Sequence, residues 1–210
     1  IGVPVACQDG FIQISFLLIT VIANRRGMEV SAAVGIVEKI IGFLFLVPSS
    51  MLSAVSAIAA QNFGARELNR AKATLCCGAA IAAGTGLCFA LLFQFLARPV
   101  LSLFTGDGTV VALGTQYLRS YVIDCALAGV HFAFSGYFCA AGRSILSFLH
   151  NALSIVLLRV PGAYLASQLW SDTLFPMGLA APLGSALSSV LCIVFFLVLE
   201  HESVTKPLDL

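Results

Sequence analysis

Apolar residues run along this chain in six stretches, each long enough to cross a bilayer, with short polar segments between them. A helix rises about 1.5 Å per residue, so about 20 mostly apolar residues span a hydrocarbon core of about 30 Å. The pattern predicts spans from Ile1 to Ala23, Ser31 to Gln61, Ala71 to Leu96, Tyr117 to Ala141, Ser144 to Leu169 and Met177 to Leu199. With their connections they use nearly all 210 residues. The fold class expected is therefore an all-α integral membrane protein, a six-transmembrane-helix bundle forming a single lobe, with no soluble domain beside it to carry separate chemistry.

The polar positions inside those spans are sharper than the spans themselves. Five full charges, Asp9, Glu38, Lys39, Asp124 and Arg159, fall within the apolar runs. Insertion costs about 2.5 to 3.5 kcal/mol for an Asp, Lys or Arg at mid-span, so together they oppose insertion by on the order of 10 kcal/mol before any pairing. Such groups face a cavity, pair with one another, or hold a proton. At about 100° per residue, Asp124, His131 and Ser135 lie within about 20° of one face of span four, and Tyr117 joins them a heptad earlier. Glu38, Gly42, Ser49, Ser53 and Ser56 share a face of span two, with Lys39 rotated about 100° away and unable to pair with Glu38 by adjacency. Span five presents Ser147, His150, Asn151 and Ser154; Asp9 and Gln13 stand one turn apart in span one.

These residues sort into two groups. Asp9, Glu38, Asp124, Gln13 and His131 are the candidates for ion coupling or substrate contact. Lys39 and Arg159 are the candidates for structural pairing, and Arg159, next to Pro161, reads as an anchor. Three acids face two bases, so at least one carboxylate lacks a partner within the chain. His131 and His150 also read as satisfied core histidines.

Other features point to packing. Gly78, Ala79, Ala82, Ala83 and Gly86 recur at spacings of three and four, which lets helix backbones approach closely. Pro48, Pro161 and Pro182 interrupt three spans and permit kinks. The seven cysteines form neither a CxxC nor a His-spaced metal pattern. Ser135-Gly136 lacks the partners of a catalytic serine, so no enzyme is expected. Gly106-Asp107-Gly108 is a turn signal, and Gly64-Ala65 is expected to need a glycine for a tight turn.

Composition agrees with lipid as the solvent: 60% of residues are hydrophobic and 10% charged, with mean hydropathy +1.01. A net charge of +1 gives no sign of nucleic acid. The bias of Lys and Arg places Arg66, Arg70, Lys72, Arg143 and Lys206 against Arg25, Arg26, Arg98 and Arg119, which predicts a cytoplasmic C-terminus in a multi-pass plasma-membrane protein. The opening at Ile1, without initiator Met, basic n-region or cleavage site, reads as the start of a fragment whose missing part lies upstream, while Glu200 to Leu210 reads as a natural terminus.

The wording of several segments resembles a known family. Span one carries Ile1-Gly2-Val3-Pro4 and Gln8-Asp9; span two carries Ala33-Val34-Gly35-Ile36-Val37-Glu38-Lys39 with Gly42-Phe43, and ends in Gln61-Asn62-Phe63-Gly64-Ala65. Tyr117-Leu118-Arg119, Gly136-Tyr137-Phe138 with Gly142, and Leu158-Arg159-Val160-Pro161 follow in order. In this order they resemble helices seven to twelve of a bacterial multidrug and toxic compound extrusion (MATE) transporter. The resemblance implies a two-lobed, twelve-helix antiporter that expels hydrophobic or cationic compounds in exchange for protons or sodium, with no cofactor. The partners implied are a small-molecule substrate, the bilayer and the missing N-terminal lobe. In sodium-coupled members of the family a glutamate and an aspartate stand where this chain has Ile12 and Ala128; Asp9 and Asp124 lie a turn away, and proton coupling is the preferred reading. The alternatives are a lipid-linked oligosaccharide flippase, for which Lys39 and Arg159 supply few basic groups, and a non-transporting scaffold whose polar stripes are paired and dry.

Overall fold

The computed structural model describes the backbone of residues 2–205 and the side chains of residues 6–8 and 10–200. The described chain folds into helices α1 (Gly2–Asn24), α2 (Met28–Leu44), α3 (Leu46–Gly64), α4 (Leu68–Ser102), α5 (Gly108–Tyr121), α6 (Asp124–Ala140), α7 (Ser144–Ser154), α8 (Val160–Leu169) and α9 (Phe175–Thr205). Five helical segments are long and apolar enough to cross a membrane, and α5 with α6 makes a sixth if that bent pair is one span. The protein is thus an all-α membrane bundle. The stretch predicted from Tyr117 begins at Gly108, where Asp107 caps α5 by accepting from the backbone N–H groups of Thr109 (2.8 Å) and Val110 (3.3 Å).

Three spans are broken, and prolines explain two of the breaks. Between α2 and α3 the chain falters at Phe45, because Pro48 in the first turn of α3 has no N–H to continue the ladder. Between α7 and α8 lies a π-helical turn, Ile155–Arg159, just before Pro161. The third break, at Val122 and Ile123, bends α5 from α6 by 41°. Pro182 leaves α9 unbroken through its whole length.

Small residues set the helix spacing. A methyl group on Gly86 of α4 would run into the backbone of Cys125 and Ala126, and one on Gly129 of α6 would meet the backbone of Ala82 at 2.7 Å. Gly136 lies equally close to the carbonyl of Leu52 in α3. With contacts this short α6 is wedged between α3 and α4, and dispersion contacts between backbones replace the hydrophobic drive that lipid cannot supply.

Two apolar clusters lie at opposite ends of the bundle. One gathers Ile41, Leu101, Leu118, Tyr121 and Met177; the other gathers Val55, Leu75, Phe138 and Cys192. At the first end Arg26 donates to the carbonyls of Trp170, Ser171 and Thr173, joining the first and fifth loops. At the second, Lys72 pairs with Glu200.

The turn after α3 differs from expectation. Gly64 has helical backbone and open space around it, whereas Arg66 takes the left-handed conformation at φ 61°. The N–H of Glu67 reaches back to the carbonyl of Asn62 at 2.8 Å, closing the helix end. The equivalent position after α6 is Gly142, at φ 72°, with the N–H of Arg143 bonded to Phe138. Glycine suits this cap because it has no Cβ to crowd the backbone. Gly64→Leu should accordingly be tolerated, and Arg66→Gly should stabilise the lobe by up to about 1 kcal/mol, both read from the melting temperature in detergent. Gly86→Val should do the reverse, forcing α4 from α6 at a cost of about 1–3 kcal/mol or more and lowering the monodisperse fraction on size-exclusion chromatography.

Candidate functional site

The interior carries polar groups in two successive layers. The first lies about 15–25 Å in from the end that holds Arg26, judged from helical rise. Here Arg159, on the π-helical turn, is buried and bonds through Nη2 to the hydroxyl of Tyr121. Its guanidinium stands over the rings of Phe16 (5.0 Å) and Tyr121 (5.8 Å), a cation–π sandwich between α1 and α5. The Tyr121 ring packs edge-on against Tyr117 at 5.6 Å. One turn beyond Tyr121, across the bend, Asp124 opens α6 with 0% exposure. Ser185 of α9 lies beside it, yet neither Asp124 carboxylate oxygen has a hydrogen bond of ordinary geometry among the described residues.

Glu38 of α2 completes the layer. It is half-buried, and Thr20 Oγ1 lies 3.1 and 3.4 Å from its two oxygens and 2.9 Å from the Phe16 carbonyl, so one hydroxyl proton is shared among them. The positive charge of Arg159 acts on both Glu38 and Asp124. Neither pair closes to an ion pair among the described residues. The arrangement therefore holds two carboxylates and one guanidinium in electrostatic contact but apart. Such a geometry leaves room for an exchangeable cation or proton.

The second layer, nearer the Lys72 end, is uncharged in its hydrogen bonding. His150 bonds on both sides, Nε2 to Ser135 Oγ at 2.9 Å and Nδ1 to Ser188 Oγ at 2.6 Å. Ser147 donates to Gln8 at 2.7 Å, and Ser154 donates to the Gly184 carbonyl. The ring of His131 faces that of His150 at 5.7 Å, but its Nδ1 has no partner among the described residues. The predicted polar faces of spans four and five thus meet each other, and His150 is a satisfied core histidine. His131 is only partly so.

The other candidates separate. Gln13 and Lys39 are exposed on the surface of the lobe. The pairing expected of Lys39 is not seen: its position, rotated from Glu38, turns it outward, and no ion pair holds it among the described residues. The Glu38 face continues past the break at Phe45 as exposed Ser49 and Ser53. The side chain of Asp9 lies outside the described residues. Tyr121, Thr20, Phe16 and Ser185 were missed, although a tyrosine three residues before a buried aspartate was a legible signal. Two outer clefts, one of about 500 Å³ between α3 and α4 and one of about 370 Å³ between α1 and α8, are apolar and touch neither layer. His150→Ala should leave the Ser135 and Ser188 hydroxyls unpaired and lower stability by about 2–4 kcal/mol, read as a fall in thermal midpoint.

The chain is similar to proteins whose names supply context for this geometry. The profile of the MatE family matches residues 4–165. The "Probable multidrug resistance protein YpnP" of Bacillus subtilis is 25% identical over 195 residues, covering 93% of this chain and 43% of that protein. The FAD transporter of Shewanella oneidensis is 30% identical over 171 residues, covering 77% of this chain and 35% of its own length. A crystal structure of a MATE protein in complex with MaD3S superposes with a TM-score of 0.87 at 15% identity, covering 98% of this chain and 46% of the other. The chain thus spans about half the length of the curated relatives it matches. By the extent of the profile match, the chain belongs to the MatE family, a family of transporters and not of enzymes.

Proposed function

We propose that this lobe is half of a secondary active antiporter that exports hydrophobic or cationic compounds in exchange for protons or sodium by alternating access. The single observation that carries the reading is Asp124, a carboxylate fully buried in a membrane bundle with no ion pair among the described residues. A charge that costs this much to place in lipid, has only the Ser185 hydroxyl beside it and closes no ion pair among the described residues is free to bind something that comes and goes. A proton or a sodium ion entering the layer and an organic cation leaving it compete for the same carboxylates, which makes exchange obligatory. Proton is the preferred coupling ion, since a carboxylate that closes no ion pair among the described residues can take up a proton and release it without breaking one.

The exposed polar edge of α1 to α3, with Gln13, Lys39, Ser49 and Ser53, is the natural wall of a cavity shared with a second lobe. The names of the multidrug relatives support that substrate class, and the half-length match supports a partner lobe. The basic residues favour a cytoplasmic C-terminus, with the Arg66 to Lys72 segment on the same side. A scaffold would pair its buried charges, and Asp124 has no ion pair among the described residues. A flippase for a pyrophosphate-linked sugar calls for more cations than Arg159 and the outward-facing Lys39.

A second reading follows from the likeness to the FAD transporter, whose substrate is anionic, together with the buried guanidinium of Arg159. In that case Arg159 would be the recognition group. Its engagement with Tyr121, Phe16 and two carboxylates weighs against this.

In the full-length protein that carries this lobe, Asp124→Asn should reduce gradient-driven ethidium efflux by more than about tenfold while leaving membrane insertion intact. Efflux measured with proton and sodium gradients collapsed separately identifies the ion. Unchanged transport by Asp124→Asn removes this carboxylate from the mechanism.

A further inference from the structure

Arg159, Glu38 and Asp124 form the described charges of the first layer, and their separation is as informative as their presence. They come from three different parts of the fold: the π-helical turn, α2 and the start of α6. The other titratable groups facing them are Tyr117 and Tyr121 from α5, Cys125 from α6 and, towards the second layer, His131. Tyrosine and cysteine are uncharged at neutral pH in apolar surroundings. From α1 come Phe16 and Thr20, and from α9 Ser185, none of them charged. Lys39 is exposed, and Arg119 lies further back on α5, its carbonyl bonded to Gln94.

With both carboxylates ionised, the layer therefore carries one net negative charge. We infer that Arg159 is a tethered internal cation whose charge offsets one of the two carboxylates without pairing with it, so that the site admits one monovalent cation or one proton at a time and rejects dications. This rests on the cation-exchange reading above and deepens it by naming the charge of the ligand.

The geometry supplies the reasons. Arg159 is held by the Tyr121 hydroxyl and the Phe16 ring rather than by a carboxylate, and its Nε has no partner among the described residues, so it is positioned near both acids without consuming either. Gly184 of α9 permits this placement, since a Cβ there would lie 3.2 Å from Cβ of Arg159. When a proton sits on Asp124 the layer is neutral. When that proton leaves and an organic cation takes its place, the layer is neutral again, and one charge has been exchanged for one. A dication in the same place would leave one uncompensated positive charge in a low-dielectric interior, a costly state.

The test compares binding of tetraphenylphosphonium, with one positive charge, and methyl viologen, with two, to the full-length transporter in nanodiscs. The wild type should favour the monocation. Arg159→Gln takes the layer to two net negative charges and should raise affinity for the dication relative to the monocation by about tenfold or more. Arg159→Lys keeps the charge while losing the fit to Tyr121, and should keep the wild-type ratio. A ratio unmoved by Arg159→Gln, or raised equally by Arg159→Lys, overturns the inference. Should Arg159→Gln not insert, Glu38→Gln takes the count to zero and must weaken both cations by about tenfold; unchanged binding there overturns the inference equally. Under the anionic-substrate reading Arg159→Gln would instead abolish recognition of an anion and leave the two cations unbound throughout. A wild type that binds neither cation removes the cation-exchange reading and this inference with it, whereas a wild type that binds the monocation with an insensitive ratio removes the inference alone.

Discussion

The cost of holding charge inside lipid governs this structure more than any other term. Asp124 and Arg159 are both buried, and the helices around them are arranged so that each is approached by polar or aromatic groups rather than by hydrocarbon. A close salt bridge would have been the simpler solution. The fold instead spends hydrogen bonds and ring contacts on keeping the charges near but separate. That choice is costly for stability alone, and becomes intelligible when the carboxylates must stay available.

Each irregularity of the bundle serves that layer. The bend at Val122 and Ile123 sets Tyr121 and Asp124 on either side of a change in helix direction. The π-helical turn presents Arg159 to both. Glycines on α4 and α6 bring the straight parts of the bundle so close together that the irregular parts are held from behind. Regular helices would satisfy their own backbones and leave these side chains pointing to different sides. Broken ones, supported by neighbours, let three spans converge.

Much of the fold was legible in the sequence because lipid imposes length and apolarity on every span. Helical periodicity also found the right faces: Asp124 with His131 and Ser135, and Ser147 with His150, Asn151 and Ser154, do look inward and towards each other. What could not be read was which way a polar face looks. The Glu38 face, half-buried at Glu38, is already exposed at Gly42 and stays so at Ser49 and Ser53, because periodicity marks a polar face without saying whether it looks inward. The same limit hid Tyr121 as the partner of Arg159, since two broken spans have to meet to make that bond. The cap at Arg66 was misplaced by two residues because Gly64 offered a familiar signal, while the left-handed residue was an arginine that no propensity scale would select. Charge count alone makes Lys39 a pairing candidate, and its rotation from Glu38 turns it outward.

Helix α4 has a consequence of a different sort. At 35 residues it is longer than a hydrocarbon core requires, and it carries Arg70 near one end and Arg98 near the other. Those two guanidinium-bearing positions stand about 42 Å apart along the axis, close to the full thickness of a bilayer with its headgroups. The helix is thus a ruler as well as a wall, pinned at both water interfaces. A thinner or thicker membrane would have to tilt it or deform around it. Through the glycines that lock α4 to α6, such a tilt would be passed to the helix that begins with Asp124.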